Sequence, residues 1–228
     1  MKLKTEGTME DAYILRHVDH TLLTAVASWP EVEQLCKDAL RYCTASVCIP
    51  PCYVGRVRKT FPKLAICTVI GFPLGYDAVS VKSAAARTAI EDGADELDMV
   101  VNITDVKNGD FEAIKAEIAA LRGIAGQHIL KVIVETCYLS EPEKIALCRT
   151  VTDAEADFIK TSTGFGTAGA AMEDIELFKA HIGPNVSIKA SGGIRTREDM
   201  VAFLEAGCKR LGTSSAIKVL AGEAALGY

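Results

Sequence analysis

The sequence predicts an α/β fold, a single-domain (β/α)8 TIM barrel with a short N-terminal helix. Three observations carry that expectation. Short apolar runs alternate with amphipathic runs eight times along the 228 residues. Strict strand–helix alternation implies a parallel sheet with right-handed crossovers. Eight units in this length suit a closed barrel, which typically takes about 250 residues. Several strand runs also carry one polar face, whereas the central strands of the rival doubly wound open sheet would be apolar on both. No linker or low-complexity tract divides the chain, so residues 1–228 are read as one domain.

Elements follow from local signals. Thr8-x-x-Asp11 suits a helix start, for a first helix to about His17. Val18 to Leu23 reads as the first strand. Ser28-x-x-Glu31, with Pro30 in the first turn, opens a helix to about Tyr42. Ala45 to Ile49 is the second strand, stopped by Pro50-Pro51, and a basic helix with Arg56, Arg58 and Lys59 follows. Leu64 to Ile70 is the third strand. Ser80 to Asp92 is an alanine-rich helix ended by Gly93. Asp95 to Asn102 is the fourth strand, followed by a helix from Asp110 to Ala125 that Gly126 ends. Ile129 to Glu135 is the fifth, and Ser140-x-x-Glu143 starts the next helix. Asp157 to Ser162 is the sixth strand, with a helix from about Ala170 to Ile182. Val186 to Ser191 is the seventh, followed by a helix from Thr196 to Ala206 with Gly207 past its end. Arg210 to Thr213 is the eighth, and Ser214 to Leu226 the last helix.

Composition excludes several functions. Hydrophobic residues make up 49% and charged residues 24%, with net charge −5. No basic run or face invites nucleic acid, although a local positive pocket for a small anion is still open. No apolar run reaches the length of a membrane span. Met1 to Glu10 lacks the apolar core of a signal peptide, so the cytoplasm is the expected location. Eight cysteines lie mostly in apolar contexts, without a CxxC pair. They read as reduced thiols acting as small hydrophobes. Their spacings, and histidines that cluster with none of them, point to no metal site.

The informative oddity is lysine in buried strands. In Asp157-Phe158-Ile159-Lys160-Thr161-Ser162, alternation puts Phe158, Lys160 and Ser162 on one face. In Val186-Ser187-Ile188-Lys189-Ala190-Ser191, Ser187, Lys189 and Ser191 share a face. Glu96, Asp98 and Asn102 on the fourth strand, and Lys131 and Glu135 on the fifth, extend the polar lining. A buried ammonium must find a partner, release its proton or do chemistry. Lys160 suits a nucleophile, because an amine attacks carbonyls when neutral and burial beside a second cation, Lys189, favours the neutral form. Asp98 supplies a carboxylate to move protons, directly or through water. These are the parts of Schiff-base chemistry, in which the iminium is the electron sink, so no metal or other cofactor is required. The alternative is a structural network in which Lys131, Lys160 and Lys189 are balanced by Asp98 and Glu135.

Gly192-Gly193-Ile194-Arg195 follows the seventh strand, and Gly212-Thr213-Ser214-Ser215 ends the eighth and opens the last helix. Backbone N–H groups at a helix start, with serine hydroxyls, make an anion site. In this fold phosphate often sits at these two loops. Arg195 either reaches the phosphate or only caps the mouth.

Lys160-Thr161-Ser162-Thr163-Gly164, Lys189-Ala190-Ser191-Gly192-Gly193-Ile194-Arg195 and Glu96-Leu97-Asp98-Met99-Val100-Val101-Asn102 resemble signature segments of the deoxyribose-phosphate aldolase family. So do Asp19-His20-Thr21-Leu22-Leu23, Ser46-Val47-Cys48, the run from Thr68 to Gly75, and Lys131-Val132-Ile133-Val134-Glu135-Thr136. The segments stand in the family's order from residue 19 to about 215. The resemblance implies a class I aldolase that joins acetaldehyde to glyceraldehyde 3-phosphate, reversibly, giving 2-deoxyribose 5-phosphate. By position, Lys160 would form the Schiff base, Lys189 would keep it neutral, and Asp98 would act as acid and base through water. Gly164, Gly192, Gly193, Arg195, Ser214 and Ser215 would hold phosphate. Asp19, Thr21, Cys48 and Lys131 would line the pocket, although Cys48 also reads as a plain core thiol.

Two positions stand apart from the pattern. Phe165 occupies a place where some members have lysine, which removes a phosphate charge. The terminal Tyr228 is placed as in relatives where a tyrosine folds over the site. Barrels of this kind often pair through their outer helices, and a dimer or tetramer is expected. Competing readings are a phosphosugar isomerase, a transaldolase and a non-catalytic phosphosugar-binding barrel. An isomerase working through carboxylates would not need two strand lysines.

Overall fold

The structure is a computed structural model that describes residues 9–223. The Thr8 cap and the Tyr228 role lie outside the described residues. Eight parallel strands close on one another in sequence order, β1 bonding both β2 and β8. They are β1 Val18–Thr21, β2 Ser46–Ile49, β3 Ile66–Ile70, β4 Glu96–Val100, β5 Ile129–Ile133, β6 Phe158–Lys160, β7 Ser187–Ser191 and β8 Arg210–Thr213. The helices are α1 Asp11–Leu15, α2 Trp29–Tyr42, α3 Val54–Thr60, α4 Val79–Glu91, α5 Ile103–Asn108, α6 Phe111–Ala125, α7 Glu141–Asp153, α8 Met172–His181, α9 Arg197–Glu205 and α10 Ala216–Leu220.

Local signals set these elements. Ser28 and Glu31 form a capping box at α2, Ser140 and Glu143 one at α7, and Thr196 and Asp199 one at α9. Each satisfies amides that the first helical turn leaves without partners. Most strands are shorter than the sequence suggests. β1 stops at Thr21, β4 at Val100 and β6 at Lys160, because the chain leaves the ladder to build loops at the barrel mouth. Asn102 is therefore not an interior strand residue. It caps the short α5, which the sequence did not announce, its side chain accepting from Thr104 N at 3.1 Å. α10 is only five residues long.

Register decides what faces inward. Thr21 pairs with Cys48, Cys48 with Cys67, Asp98 with Lys131, Lys160 with Lys189, and Lys189 with Arg210. Register partners share a face, and successive residues alternate. The outward set includes Val47, Ile66, Leu97, Met99, Leu130, Val132, Ile159, Ala190 and Leu211, which join the helices in one continuous apolar core. The inward set is polar over most of its depth. Its apolar part, Leu23, Cys48, Cys67 and Val69, is a separate small cluster.

His20 breaks the apolar outward pattern. It is buried, and its Nδ1 has no partner among the described residues. Burial pulls its pKa down to about 4, with Asp38 and Lys218 as smaller, opposed influences. The unfolded chain then takes up this proton near pH 6.5, before the fold can. The neutral imidazole costs nothing above pH 6.5, and stability falls as pH drops from there toward 4. Urea denaturation should show His20→Asn losing about 3 kcal/mol less than wild type between pH 7 and 4. Equal losses would show that His20 does not govern this window.

Candidate active site

Seven ionisable side chains meet inside the barrel. Asp98 of β4 is the hub. Its Oδ2 accepts from Lys160 Nζ and from Lys189 Nζ, each at 2.7 Å. Its Oδ1 accepts from Lys131 Nζ at 2.9 Å and from the Cys67 thiol at 3.1 Å. Lys189 also donates to Asp19 Oδ2 at 2.5 Å. Asp19 Oδ1 accepts from Ser46 Oγ at 2.7 Å and from Arg210. Arg210 holds both oxygens of Glu96 at 3.0 Å, and Lys131 donates to Glu96 at 2.5 Å. Contacts from β4 to β7 and from β1 to β5 span the barrel interior.

The electrostatics follow from this geometry. Burial pushes the Asp98 carboxyl up, but Lys131, Lys160 and Lys189 together hold it well below the usual range. Asp19 behaves alike, with burial opposed by Lys189, Lys131 and Arg210. Burial pulls Lys131 and Lys189 down, and the carboxylates more than reverse it, so both stay above the ordinary lysine value. Four cations, Lys131, Lys160, Lys189 and Arg210, face three carboxylates, Asp19, Glu96 and Asp98. One positive charge is in excess. In a medium of low polarity such an excess favours loss of a proton nearby.

Lys160 is where the network opens. It lies 3% exposed, on the floor of a cavity at the C-terminal mouth, whereas Asp19, Asp98, Lys131 and Lys189 are fully buried. Thr21, Gly164, Gly192, Gly193, Arg195, Ser214 and Ser215 wall this cavity, so the predicted loops converge with Lys160. Asp19, Cys48 and Lys131 lie beneath the floor rather than on the wall. Gly192 and Gly193 both take left-handed φ, +79° and +74°. Successive turns of this kind leave amides without ladder partners and form anion-binding concavities. With α10 so short, any anion here meets loop amides rather than a long helix end. Gly212 makes room below, because a Cβ there would lie 3.2 Å from Lys189 Cε.

Several expectations need correction. Glu135 forms no direct ion pair with the lysines, although Lys160 still acts on its charge; it takes left-handed φ and accepts from Thr163 N at 3.1 Å and from Thr163 Oγ1. Asp98 meets Lys160 directly at 2.7 Å, the first of the two routes left open for its proton transfer. Phe165 packs edge-on against Phe72, centroids 5.4 Å apart, and walls a second, more apolar cavity with Pro73, Leu74, Tyr76 and Tyr138. The sequence reading missed Arg210, Cys67 and Ser46 as members of the network. Their alternation matched Lys189, Asp98 and Asp19, but the register that joins them spans distant segments. Ligand atoms of Cys48, Cys67 and Asp98 lie within 4.8 Å of one another. Three surrounding ammonium groups oppose a divalent cation there.

A closed parallel barrel with a lysine opening into a loop-walled cavity at its C-terminal mouth defines a TIM-barrel enzyme. The family model "DeoC/LacD family aldolase" matches residues 13–225. The deoxyribose-phosphate aldolase of Clostridium botulinum (strain Alaska E43 / Type E3) is 56% identical over 221 residues, covering 96% of this chain and 100% of that protein. That of Clostridioides difficile (strain 630) is 52% identical over 217 residues, covering 95% and 99%. Among solved structures, a putative deoxyribose-phosphate aldolase from Coccidioides immitis aligns with TM-score 0.91 at 37% identity, covering 97% of this chain and 89% of that one. A tetrameric deoxyribose phosphate aldolase from Aeropyrum pernix aligns with TM-score 0.87 at 32% identity, covering 93% and 91%. The chain belongs to the DeoC/LacD aldolase family. Among the described residues, no helix is long and apolar enough to cross a membrane.

Arg210 gives a test of the network itself. Arg210→Met would leave Asp19 and Glu96 buried with one cation fewer. It should cost about 3 kcal/mol in urea denaturation, with part recovered by Arg210→Lys. A change within error would mean that Arg210 adds nothing to the fold.

Proposed function

We propose that this chain is a deoxyribose-phosphate aldolase working through a Schiff base on Lys160. It cleaves 2-deoxyribose 5-phosphate reversibly to acetaldehyde and glyceraldehyde 3-phosphate. The observation that carries the reading is Lys160 Nζ, open to the mouth cavity and bonded to Asp98 at 2.7 Å. In the synthetic direction the neutral amine of Lys160 adds to the acetaldehyde carbonyl, giving a carbinolamine. Loss of water leaves the iminium, which draws electrons from the C–H bond beside it. Removal of that proton gives the enamine, whose carbon attacks the aldehyde carbon of glyceraldehyde 3-phosphate. Water then releases the sugar and regenerates the amine.

Each neighbour has a part in this scheme. Asp98 Oδ2 is close enough to exchange a proton with Lys160 directly. Lys189, on the same oxygen, places positive charge against Lys160 and favours its neutral form. Gly164, Gly192, Gly193, Ser214 and Ser215 cradle the phosphate, and Arg195, exposed at the rim, adds its charge. Thr21 lines the same cavity. Asp19 and Lys131 act from beneath by holding Lys189 and Asp98. Residues 1–228 are one catalytic domain on this reading, acting in the cytoplasm as a homo-oligomer, dimer or tetramer. A transaldolase would use the same lysine, so substrate choice separates the two.

Incubation with acetaldehyde and borohydride, followed by peptide mapping, tests the mechanism. A two-carbon adduct on Lys160 is expected, and folded protein without it would refute the scheme. Lys160→Ala should lose cleavage of 2-deoxyribose 5-phosphate. In Lys189→Leu the adduct should form only at higher pH, because a lost positive charge makes a proton on Lys160 easier to keep. An unchanged pH profile would remove Lys189 from this role. Ser214→Asp should raise KM for the phosphorylated sugar far more than for free deoxyribose.

A further inference from the structure

We propose that Cys48 and Cys67 are a redox modification site, which a small hydroperoxide converts to a disulfide between β2 and β3 and thereby closes the lysine centre. The placement carries this. The two residues are direct register partners on neighbouring parallel strands, both facing inward. Adjacent strands lie about 4.8 Å apart, inside the Cα separation that a disulfide spans. The sulfurs of Cys48 and Cys67 lie within 4.8 Å of each other, and the two residues belong to one small cluster with Leu23 and Val69. Leu23 also walls the mouth cavity, so this cluster borders it.

The two sulfurs are unequal. The neighbouring Cys67, with Lys189 and Lys160 and against burial and Asp98, draws the Cys48 thiol toward its thiolate. Burial, with the neighbouring Cys48 and the negative charge of Asp98, keeps Cys67 a thiol. A thiolate beside a protonated resolving cysteine is the usual arrangement of redox-sensing pairs. The Cys48 thiolate attacks the peroxide, its O–O bond breaks, hydroxide leaves, and Cys48 becomes a sulfenic acid. Cys67 sulfur then attacks that sulfur, the S–O bond breaks, and its hydroxyl leaves as water with the Cys67 proton. Two electrons have passed from the sulfur pair to the peroxide. The disulfide removes the Cys67 donor from Asp98 Oδ1, a contact of 3.1 Å in the reduced protein. It also pulls both side chains toward each other beneath Lys160.

The full chain is treated with hydrogen peroxide, unfolded in acid, alkylated and mapped by mass spectrometry. A peptide linking Cys48 to Cys67 is expected, and dithiothreitol should abolish it. Trapping of acetaldehyde on the oxidised protein should fall about tenfold relative to its reduced form and recover with dithiothreitol. Cys67→Ser should give no link and, with excess peroxide, instead carry Cys48 on to a sulfinic acid, a two-oxygen addition that dithiothreitol does not remove. Cys52→Ser, at an exposed position, should keep the link. Two outcomes overturn the proposal: Cys48 and Cys67 both alkylated after oxidation, or the link formed with trapping unchanged. The linked peptide is read without reference to Lys160, so its absence and a failure of the Schiff-base reading are separate results.

Discussion

The carboxylate of Asp98 is the contact on which the barrel interior depends. Three lysines from three strands and one thiol converge on its two oxygens. Without it the three ammonium groups would repel one another across a dry interior, with only Asp19 and Glu96 left to oppose them. Remove the carboxylate and β5, β6 and β7 carry like charges side by side. With it in place, the same charges lock four strands to one point.

That constraint explains why the strands alternate as they do. In a (β/α)8 barrel the interior is commonly filled with branched apolar residues. Here the apolar residues face outward to the helices, and the interior holds the ions. The apolar core between barrel and helices supplies the burial that favours folding. The interior is then free to hold an arrangement that stabilises little and positions much. Order runs along the barrel axis. Asp19, Lys131 and Lys189 are fully buried, and Lys160 comes last, at the end of a three-residue strand where the chain turns into the mouth loops.

The fold was legible because its signals are local. Ser28 with Glu31 and Ser140 with Glu143 announce helix starts, and alternating polar residues mark the inward faces of β4 to β7. Lys160, Lys189 and Asp98 stood out because charged residues in strand runs are costly unless used. Pairing across strands was not legible. Arg210 reads as an ordinary first residue of a strand until register sets it beside Lys189. Cys48 and Cys67 read as scattered thiols until register makes them neighbours. Glu135 and Asn102 had the right parity, yet the chain leaves the sheet before either, so parity no longer says where they point. α5 escaped notice because six residues carry too little periodicity to show a face.

A network that holds lysines as cations sits uneasily with one of them acting as a nucleophile. The number of carboxylates on each lysine resolves this. Lys131 meets Glu96 and Asp98 closely and Asp19 at 3.6 Å. Lys189 meets Asp19 and Asp98. Lys160 meets Asp98 alone, and Lys189 shares that same oxygen. When Lys160 is the neutral amine, carbinolamine or enamine, Asp98 still has Lys131 and Lys189, and the three carboxylates are matched by three cations; the iminium restores the fourth positive charge. Lys131 or Lys189 could not leave the network so lightly, since each bridges two strands' worth of negative charge. The one lysine the interior can spare is thus the one that reaches the mouth, and the excess positive charge is what makes it spare.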